Sequence, residues 1–186
     1  MARLTIDDII KATGGRIIYS NGNSHEFTGV SIDSRTLREG ELFIALKGDR
    51  FDGHDFLYKA LETAKGAVVS MPPADPVKGR AIIHVKNTLH ALQDIAHYVR
   101  MKKNIPVIGI TGTNGKTTTK EMTAEILLTK FKVLRNTGNL NNSIGLPLSL
   151  IKMEDEDEAA VLEMGANAPG DIRELCGIAM PDYGVV

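Results

Sequence analysis

The chain has 186 residues, of which 42% are hydrophobic and 24% are charged. This composition is typical of a soluble globular protein with apolar material for one large core or two modest ones. The net charge of -1, from 22 basic and 23 acidic residues, gives no overall field that would attract nucleic acid or an anionic membrane. A single cysteine excludes an internal disulfide, and no segment resembles a membrane span or a secretory signal. We therefore expect a cytoplasmic protein.

The first half of the chain predicts a compact, mixed α/β domain. A helix is expected after Thr5 and another within 54–63, with a third that begins after Asn87 and reaches the polar residues 102–104. Short apolar or alternating runs between turn residues predict strands at 16–19, 27–32, 41–46, 67–70 and 81–85. We assign residues 1–104 to this domain and expect a hinge at its end.

The second half alternates strands with helices, which predicts a parallel sheet with helices on its faces. Strands are expected at 105–110, from 133, at 159–164 and at 183–186, and a helix runs from Lys116 to about residue 130. Residues 105–186 therefore form the second predicted domain. Because the chain stops inside an apolar run that resembles the start of a buried strand, we expect it to be a piece of a longer protein.

Residues 109–119, Gly-Ile-Thr-Gly-Thr-Asn-Gly-Lys-Thr-Thr-Thr, predict a phosphate-binding loop between a strand and a helix. Glycines allow backbone N–H groups to approach an anion, and a helix N-terminus adds unpaired donors and a positive dipole end. The spacing departs from the strict Walker pattern, because Ile110 stands where a glycine is required. A glycine-rich turn with an unrelated lysine is the alternative. The residues expected to surround the phosphates are Gly112, Thr113, Asn114, Gly115, Lys116, Thr117 and Thr118.

Four segments resemble the Mur ligases, a family of ATP-dependent amide ligases. The loop, continued through Lys-Thr-Thr-Thr-Lys-Glu-Met to residue 122, has the family's Gly-Thr-x-Gly-Lys-Thr form. The segment Asn-Thr-Gly-Asn-Leu-Asn-Asn-Ser-Ile-Gly-Leu-Pro at 136–147 resembles an asparagine-rich segment of one member. Glu-Met-Gly-Ala at 163–166 is similar to a strand-end motif that holds Mg²⁺. In the first domain, residues 33–35, 42–48 and 51–56 resemble the family's UDP-sugar-binding domain.

The resemblance implies a parallel-sheet P-loop ATPase domain, of which residues 105–186 are the first part, and the cofactors ATP and Mg²⁺. Lys116 would be the catalytic residue, stabilising the charge of the transferred phosphoryl group. Thr117 and Glu163 would bind the metal through oxygen atoms. Alternatively, Glu163 is a solvated acid at a strand end, and Thr118 only occupies the first turn of the helix without contacting phosphate.

Substrate binding is implied at six further positions. Amide side chains suit a sugar or peptide carboxylate, although Gly-Asn and Asn-Asn pairs are also common in turns. An arginine offers forked donors to a diphosphate, whereas a strand-end lysine is usually only solvated. The positions are Ser31, Ser34, Arg35, Lys47, Asn139 and Asn142.

Two segments, 136–147 and Asp-Gly-His-Asp-Phe at 52–56, favour the family member that adds D-alanyl-D-alanine to a UDP-N-acetylmuramoyl tripeptide. These two molecules are thus the expected partners of a monomer, without nucleic acid or membrane insertion, and this chain is expected to bind but not to turn over alone. The alternatives are another member, such as the ligase that adds the third residue, and a non-catalytic nucleotide or UDP-sugar binding module.

Overall fold

The computed structural model describes residues 3–20, 26–48, 50–75 and 77–186. The chain forms two compact units, Met1–Ile95 and Ala96–Val186. The division between them falls inside a helix, whereas the sequence placed it after that helix at residue 104. The assignment of a separate function to each unit stays a prediction.

The first unit combines a small two-stranded antiparallel sheet with a larger sheet. Its strands and helices are β1 (Leu4–Thr5), α1 (Ile6–Thr13), β2 (Arg16–Tyr19), β3 (Glu26–Phe27), β4 (Val30–Ser31), β5 (Leu42–Ile44), α2 (Leu57–Thr63), β6 (Gly66–Val69), β7 (Ala81–His84) and the start of α3 (Thr88–Lys102). As predicted, α1 begins after Thr5, which caps it through a capping box with Asp8. The helix ends before Gly14, which has the left-handed conformation.

The larger sheet of this unit has five strands in the order β2-β7-β6-β5-β4. All its pairs are parallel except β2 with β7. The predicted strand 27–32 is wrong as a single element. In the structure β3 pairs with β1 in the two-stranded sheet, while β4 pairs with β5 in the five-stranded sheet. Helix α2 packs on the five-stranded sheet, where Phe43, Leu61 and Ile82 belong to one buried core.

The second unit contains a four-stranded, fully parallel sheet in the order β11-β8-β10-β9. Its elements are β8 (Val107–Ile110), α4 (Lys116–Leu128), β9 (Val133–Arg135), α5 (Gly145–Ile151), β10 (Ala159–Glu163), α6 (Asp171–Ala179) and β11 (Tyr183–Val185). The α/β fold and its parallel sheet are thus confirmed. Strand β11 was expected to be buried, but it lies at the sheet edge and is exposed.

The register of this sheet places the carboxyl ends of two strands side by side. Ile110, the last residue of β8, pairs with Glu163, the last residue of β10. Both strands are largely buried, as central parallel strands are. The loop after β8 and the side chain of Glu163 therefore meet at one edge. Among the described residues, no helix is long and apolar enough to cross a membrane.

Candidate functional site

The loop between β8 and α4 has the backbone of a phosphate-binding loop. Gly112 and Gly115 have φ values of +134° and +77°, which L side chains rarely adopt, so glycine is required at both positions. Gly115 directly precedes α4, and no side chain caps that end of the helix. The first N–H groups of α4 have no side-chain cap and could therefore bind an anion in the loop, which the helix dipole would also stabilise.

Lys116 lies across this loop. Its Nζ donates to the carbonyl oxygen of Gly112 at 2.7 Å, with a longer contact of 3.4 Å to that of Thr113. Both partners are neutral, so no carboxylate neutralises the ammonium in these contacts. The positive charge is available to phosphate oxygens at the helix N-terminus.

Thr117 and Glu163 are brought together by the sheet register. The Thr117 hydroxyl donates to Oε2 of Glu163 at 2.7 Å, and Nδ2 of Asn141 donates to Oε1 at 2.8 Å. Glu163 is only 4% exposed. A carboxylate that is buried and held at both oxygens is not the solvated strand-end acid of the alternative interpretation.

The chemistry of this pair fits Mg²⁺, which prefers oxygen ligands and commonly takes one or two from protein and the rest from phosphates and water. In the part of the chain that the structure describes, no group of three or more His, Cys, Asp and Glu side chains could hold a metal ion. The Thr117 hydroxyl and the Glu163 carboxylate suit a cation whose remaining ligands come from a nucleotide and water.

Sequence reasoning missed Asn136, Asn141 and Lys120, which the structure places around Glu163 or its supports. It selected Asn139 and Asn142 from the same segment. Asn139 is exposed, and the Oδ1 of Asn142 accepts the N–H groups of Ile144 and Gly145 at the start of α5, as the turn alternative predicted. The several asparagines at 136–147 indicated a polar site, but the sequence did not show which of them lie next to the end of β10.

Asn142 also lines a cavity of about 80 Å³ together with Ser143, Asn167 and Asp171. The pKa of Asp171 is lowered because its carboxylate accepts the backbone N–H groups of Asn167 and Ala168. The substrate role of Asn139 and Asn142 stays a prediction. Thr118 is exposed on the first turn of α4.

In the first unit, Ser34 and Arg35 line a cavity of about 460 Å³ that also contains Phe51, Phe56 and Lys59. Arg35 donates from Nε and Nη2 to the carboxylate of Asp33. This pairing lowers the pKa of Asp33 from 3.8 to about 2. The cavity thus offers apolar rings beside a charged pair.

The other two predicted residues of this unit do not line that cavity. Ser31 donates to the carbonyl oxygen of Asp33 and accepts its N–H, both at 3.2 Å, so its hydroxyl shapes the turn after β4. Lys47 is exposed and forms an isolated backbone bridge with Asp52.

His54 joins two loops of the first unit. Its Nε2 accepts the N–H of Ser70 at 3.0 Å, so Nδ1 carries the proton that is donated to Asp52 at 2.6 Å. The side chain is 7% exposed. Both ring nitrogens of His54 are therefore used in holding these loops.

This site is typical of a phosphate-loop nucleotide-binding protein. It joins a glycine loop at the end of a parallel strand to an uncapped helix that starts with Lys-Thr, and a buried carboxylate lies beside them. The profile of the Mur ligase middle domain matches residues 110–186, and that of the Mur ligase family catalytic domain matches residues 26–100. The chain belongs to the Mur ligase family.

Individual relatives agree with this membership. The chain is 41% identical over 189 residues to the UDP-N-acetylmuramoyl-tripeptide--D-alanyl-D-alanine ligase of Bacillus subtilis, a match that covers 100% of this chain and 41% of the relative. A crystal structure of MurF from Acinetobacter baumannii matches with a TM-score of 0.92 and 34% identity, over 99% of this chain and 40% of that one. The MurF ligase of Thermotoga maritima in complex with ADP has a TM-score of 0.75 and 39% identity, over 83% of this chain and 36% of that one. The chain therefore spans about two-fifths of the length of these relatives.

Proposed function

We propose that this chain is the substrate-binding and nucleotide-binding part of an ATP-dependent ligase that joins D-alanyl-D-alanine to UDP-N-acetylmuramoyl-tripeptide. The observation that carries the proposal is the contact of the Thr117 hydroxyl with the buried Glu163 carboxylate, at the mouth of the loop that holds Lys116. The relatives' names supply the substrates, and the ADP complex of one relative supports nucleotide binding in the second unit.

The chemistry explains why such an enzyme needs this site. A carboxylate is a poor electrophile, so it first takes the γ-phosphoryl group of ATP, which leaves as ADP. The amine of D-alanyl-D-alanine then attacks the acyl phosphate through a tetrahedral intermediate, which loses the amine proton and expels inorganic phosphate. The enzyme's task in the first step is to hold the phosphates in line with the carboxylate and to stabilise the charge on the transferred group. Mg²⁺ held by Thr117 and Glu163 would neutralise part of the charge on the phosphates.

The residues of the loop divide this work. Gly112, Thr113, Asn114 and Gly115 present backbone N–H groups to the phosphates, and Lys116 exchanges its carbonyl partners for phosphate oxygens. Thr117 and Thr118 lie on the exposed first turn of α4, where Thr117, together with Glu163, would hold the cation. Asn141 holds the second oxygen of Glu163, which orients the carboxylate without adding charge.

In the first unit, the cavity beside Arg35 is proposed to take the UDP part of the substrate. Phe51 and Phe56 can pack on a uracil ring, while the guanidinium of Arg35 suits diphosphate oxygens. Ser34 lies in the same cavity, and Ser31 and Lys47 are proposed to contribute from its surroundings. We assign Asn139 and Asn142 to the peptide or sugar of the substrate.

We further propose that the protein acts in the cytoplasm as a monomer, in peptidoglycan precursor synthesis. The balance of basic and acidic residues supports a partner that is recognised locally and not through an overall charge.

Calorimetry on the 186-residue chain tests the nucleotide site. ADP with Mg²⁺ should bind the wild type, and Lys116→Ala should weaken binding at least about tenfold, because a full charge at the phosphates is lost. Lys152→Ala removes an exposed lysine at the end of α5 and should leave the affinity unchanged. Equal affinities for wild type and Lys116→Ala would remove the loop from the mechanism.

A second titration separates a ligase from a plain binding module. UDP-N-acetylmuramoyl-tripeptide should bind the same chain. When the full-length product of the gene is mixed with this substrate, ATP and D-alanyl-D-alanine, phosphate should be released. Binding of both ligands with no phosphate release by the full-length product would favour the non-catalytic module.

A further inference from the structure

Behind the cation-binding pair lies a buried polar network that the proposed mechanism does not use. Asn136 follows β9 and is 2% exposed, and Lys120, one turn into α4, is 1% exposed. Burial of an ammonium and an amide is unfavourable unless their hydrogen bonds are made. Each of them has partners that connect α4 and β9 to the end of β10.

The side chain of Asn136 extends the sheet where β9 has ended. Its Oδ1 accepts the N–H of Glu163 at 2.9 Å, and its Nδ2 donates to the carbonyl oxygens of Glu163 at 2.9 Å and Leu140 at 2.8 Å. The backbone pairing of β9 with β10 stops at Arg135 and Val161. The side-chain amide of Asn136 thus holds both the N–H and the carbonyl group of Glu163, and the backbone of Glu163 cannot rotate without losing both bonds.

Lys120 in turn holds the backbone of Asn136. Its Nζ donates to the backbone carbonyl of Asn136 at 2.8 Å and pairs with Oε1 of Glu121 at 2.9 Å. Glu121 also accepts a hydrogen bond from Arg135, the residue before Asn136. Helix α4 is therefore attached to the end of β10 twice, directly through Thr117 and indirectly through Lys120 and Asn136.

We propose that Lys120 and Asn136 are positioning residues, which set the distance between the Thr117 hydroxyl and the Glu163 carboxylate so that a divalent cation can bind both. Thr117 and Lys120 lie on one rigid helix, so the contact of Lys120 with Asn136 determines how far the first turn of α4 stands from the strand end. The inference rests on the proposed function, because it requires a cation at this pair.

The experiment measures the affinity of the 186-residue chain for ADP with Mg²⁺ and with EDTA, and takes the ratio of the two as the magnesium enhancement. In Asn136→Ala we expect the enhancement to fall about 10-fold or more, as for other outer partners of metal ligands, while the affinity in EDTA changes much less. Lys120→Met, which removes the ammonium and keeps an unbranched side chain one atom shorter, should also lower the enhancement, and Lys120→Arg should retain part of it.

Two further measurements distinguish positioning from general stability. Hydrogen exchange of the Glu163 amide should become faster in Asn136→Ala, because its acceptor is lost. Ser149→Ala removes a buried hydroxyl outside this network, which donates to the carbonyl oxygen of Gly145 within α5. This variant should lower the melting temperature without changing the magnesium enhancement.

Each outcome decides the inference. A folded Asn136→Ala with the wild-type enhancement overturns it, and if that variant does not fold, Lys120→Met decides in the same way. Loss of folding in both variants assigns the pair to stability alone and also overturns it. A wild-type chain that binds ADP equally with and without Mg²⁺ refutes the proposed cation site and this inference with it, whereas retained enhancement in the variants refutes only the inference.

Discussion

Gly145, the first residue of α5, allows a close approach of the loop that carries the asparagines. A Cβ at this position would lie 2.4 Å from Cα and 2.8 Å from the carbonyl carbon of Leu140. Carbon atoms pack at about 3.5–4.0 Å, so Gly145→Ala would force backbone apart by about 1 Å. Because both contacted atoms are backbone, no side-chain rotation can relieve the clash.

The expected cost is about 1–3 kcal/mol in the free energy of unfolding, the usual range for overpacking. The better helix propensity of alanine offsets at most about 1 kcal/mol of this. Gly177→Ala is the matched control, since Gly177 lies within α6 and a Cβ there would meet nothing within 4 Å. That variant should be more stable than the wild type by about 0.5–1 kcal/mol.

Urea unfolding followed by circular dichroism measures both variants against the wild type. The displaced loop in Gly145→Ala also carries Asn141, which holds Glu163, so the magnesium enhancement of ADP binding should fall together with stability. A Gly145→Ala chain that unfolds at the same urea concentration as the wild type would refute the packing argument.

Three further predictions concern charged side chains. Arg100 is 7% exposed and donates to the carbonyl oxygens of Ala179 and Met180 at the end of α6. Arg100→Met should therefore lower the free energy of unfolding in urea by about 3 kcal/mol. Arg173 is exposed, and Arg173→Met should change the free energy of unfolding by less than about 0.5 kcal/mol. Arg35→Gln should raise the pKa of Asp33 from about 2 towards 3.8, as read by carboxyl NMR; because the folded pKa is the lower one, the small stabilisation by this pair is complete above about pH 4 and is lost as the pH falls through 2. Glu163→Gln should keep the affinity for ADP in EDTA and lose the magnesium enhancement, and an enhancement equal to the wild type would exclude Glu163 as a cation ligand.

Structural features could be predicted from the sequence where the residues that determine them are close together in the chain. The capping of α1 by Thr5, the parallel strands of the second unit and the loop before Lys116 follow from spacings of a few residues, and the structure has all three. The single strand expected at 27–32 was wrong because strand partners, and not local pattern, divide it between two sheets.

The sequence by itself determined the chemical class of the second unit, because a phosphate loop works mainly through its backbone, and glycine, lysine and threonine at fixed spacing determine that backbone. It could name Glu163 only through family resemblance. The tertiary structure decided that Asn141 and Asn136 hold Glu163, with Lys120 behind them. Those contacts join residues 16 to 27 positions apart, and they exist only because the register of β9, β10 and α4 brings the strand ends and the helix together.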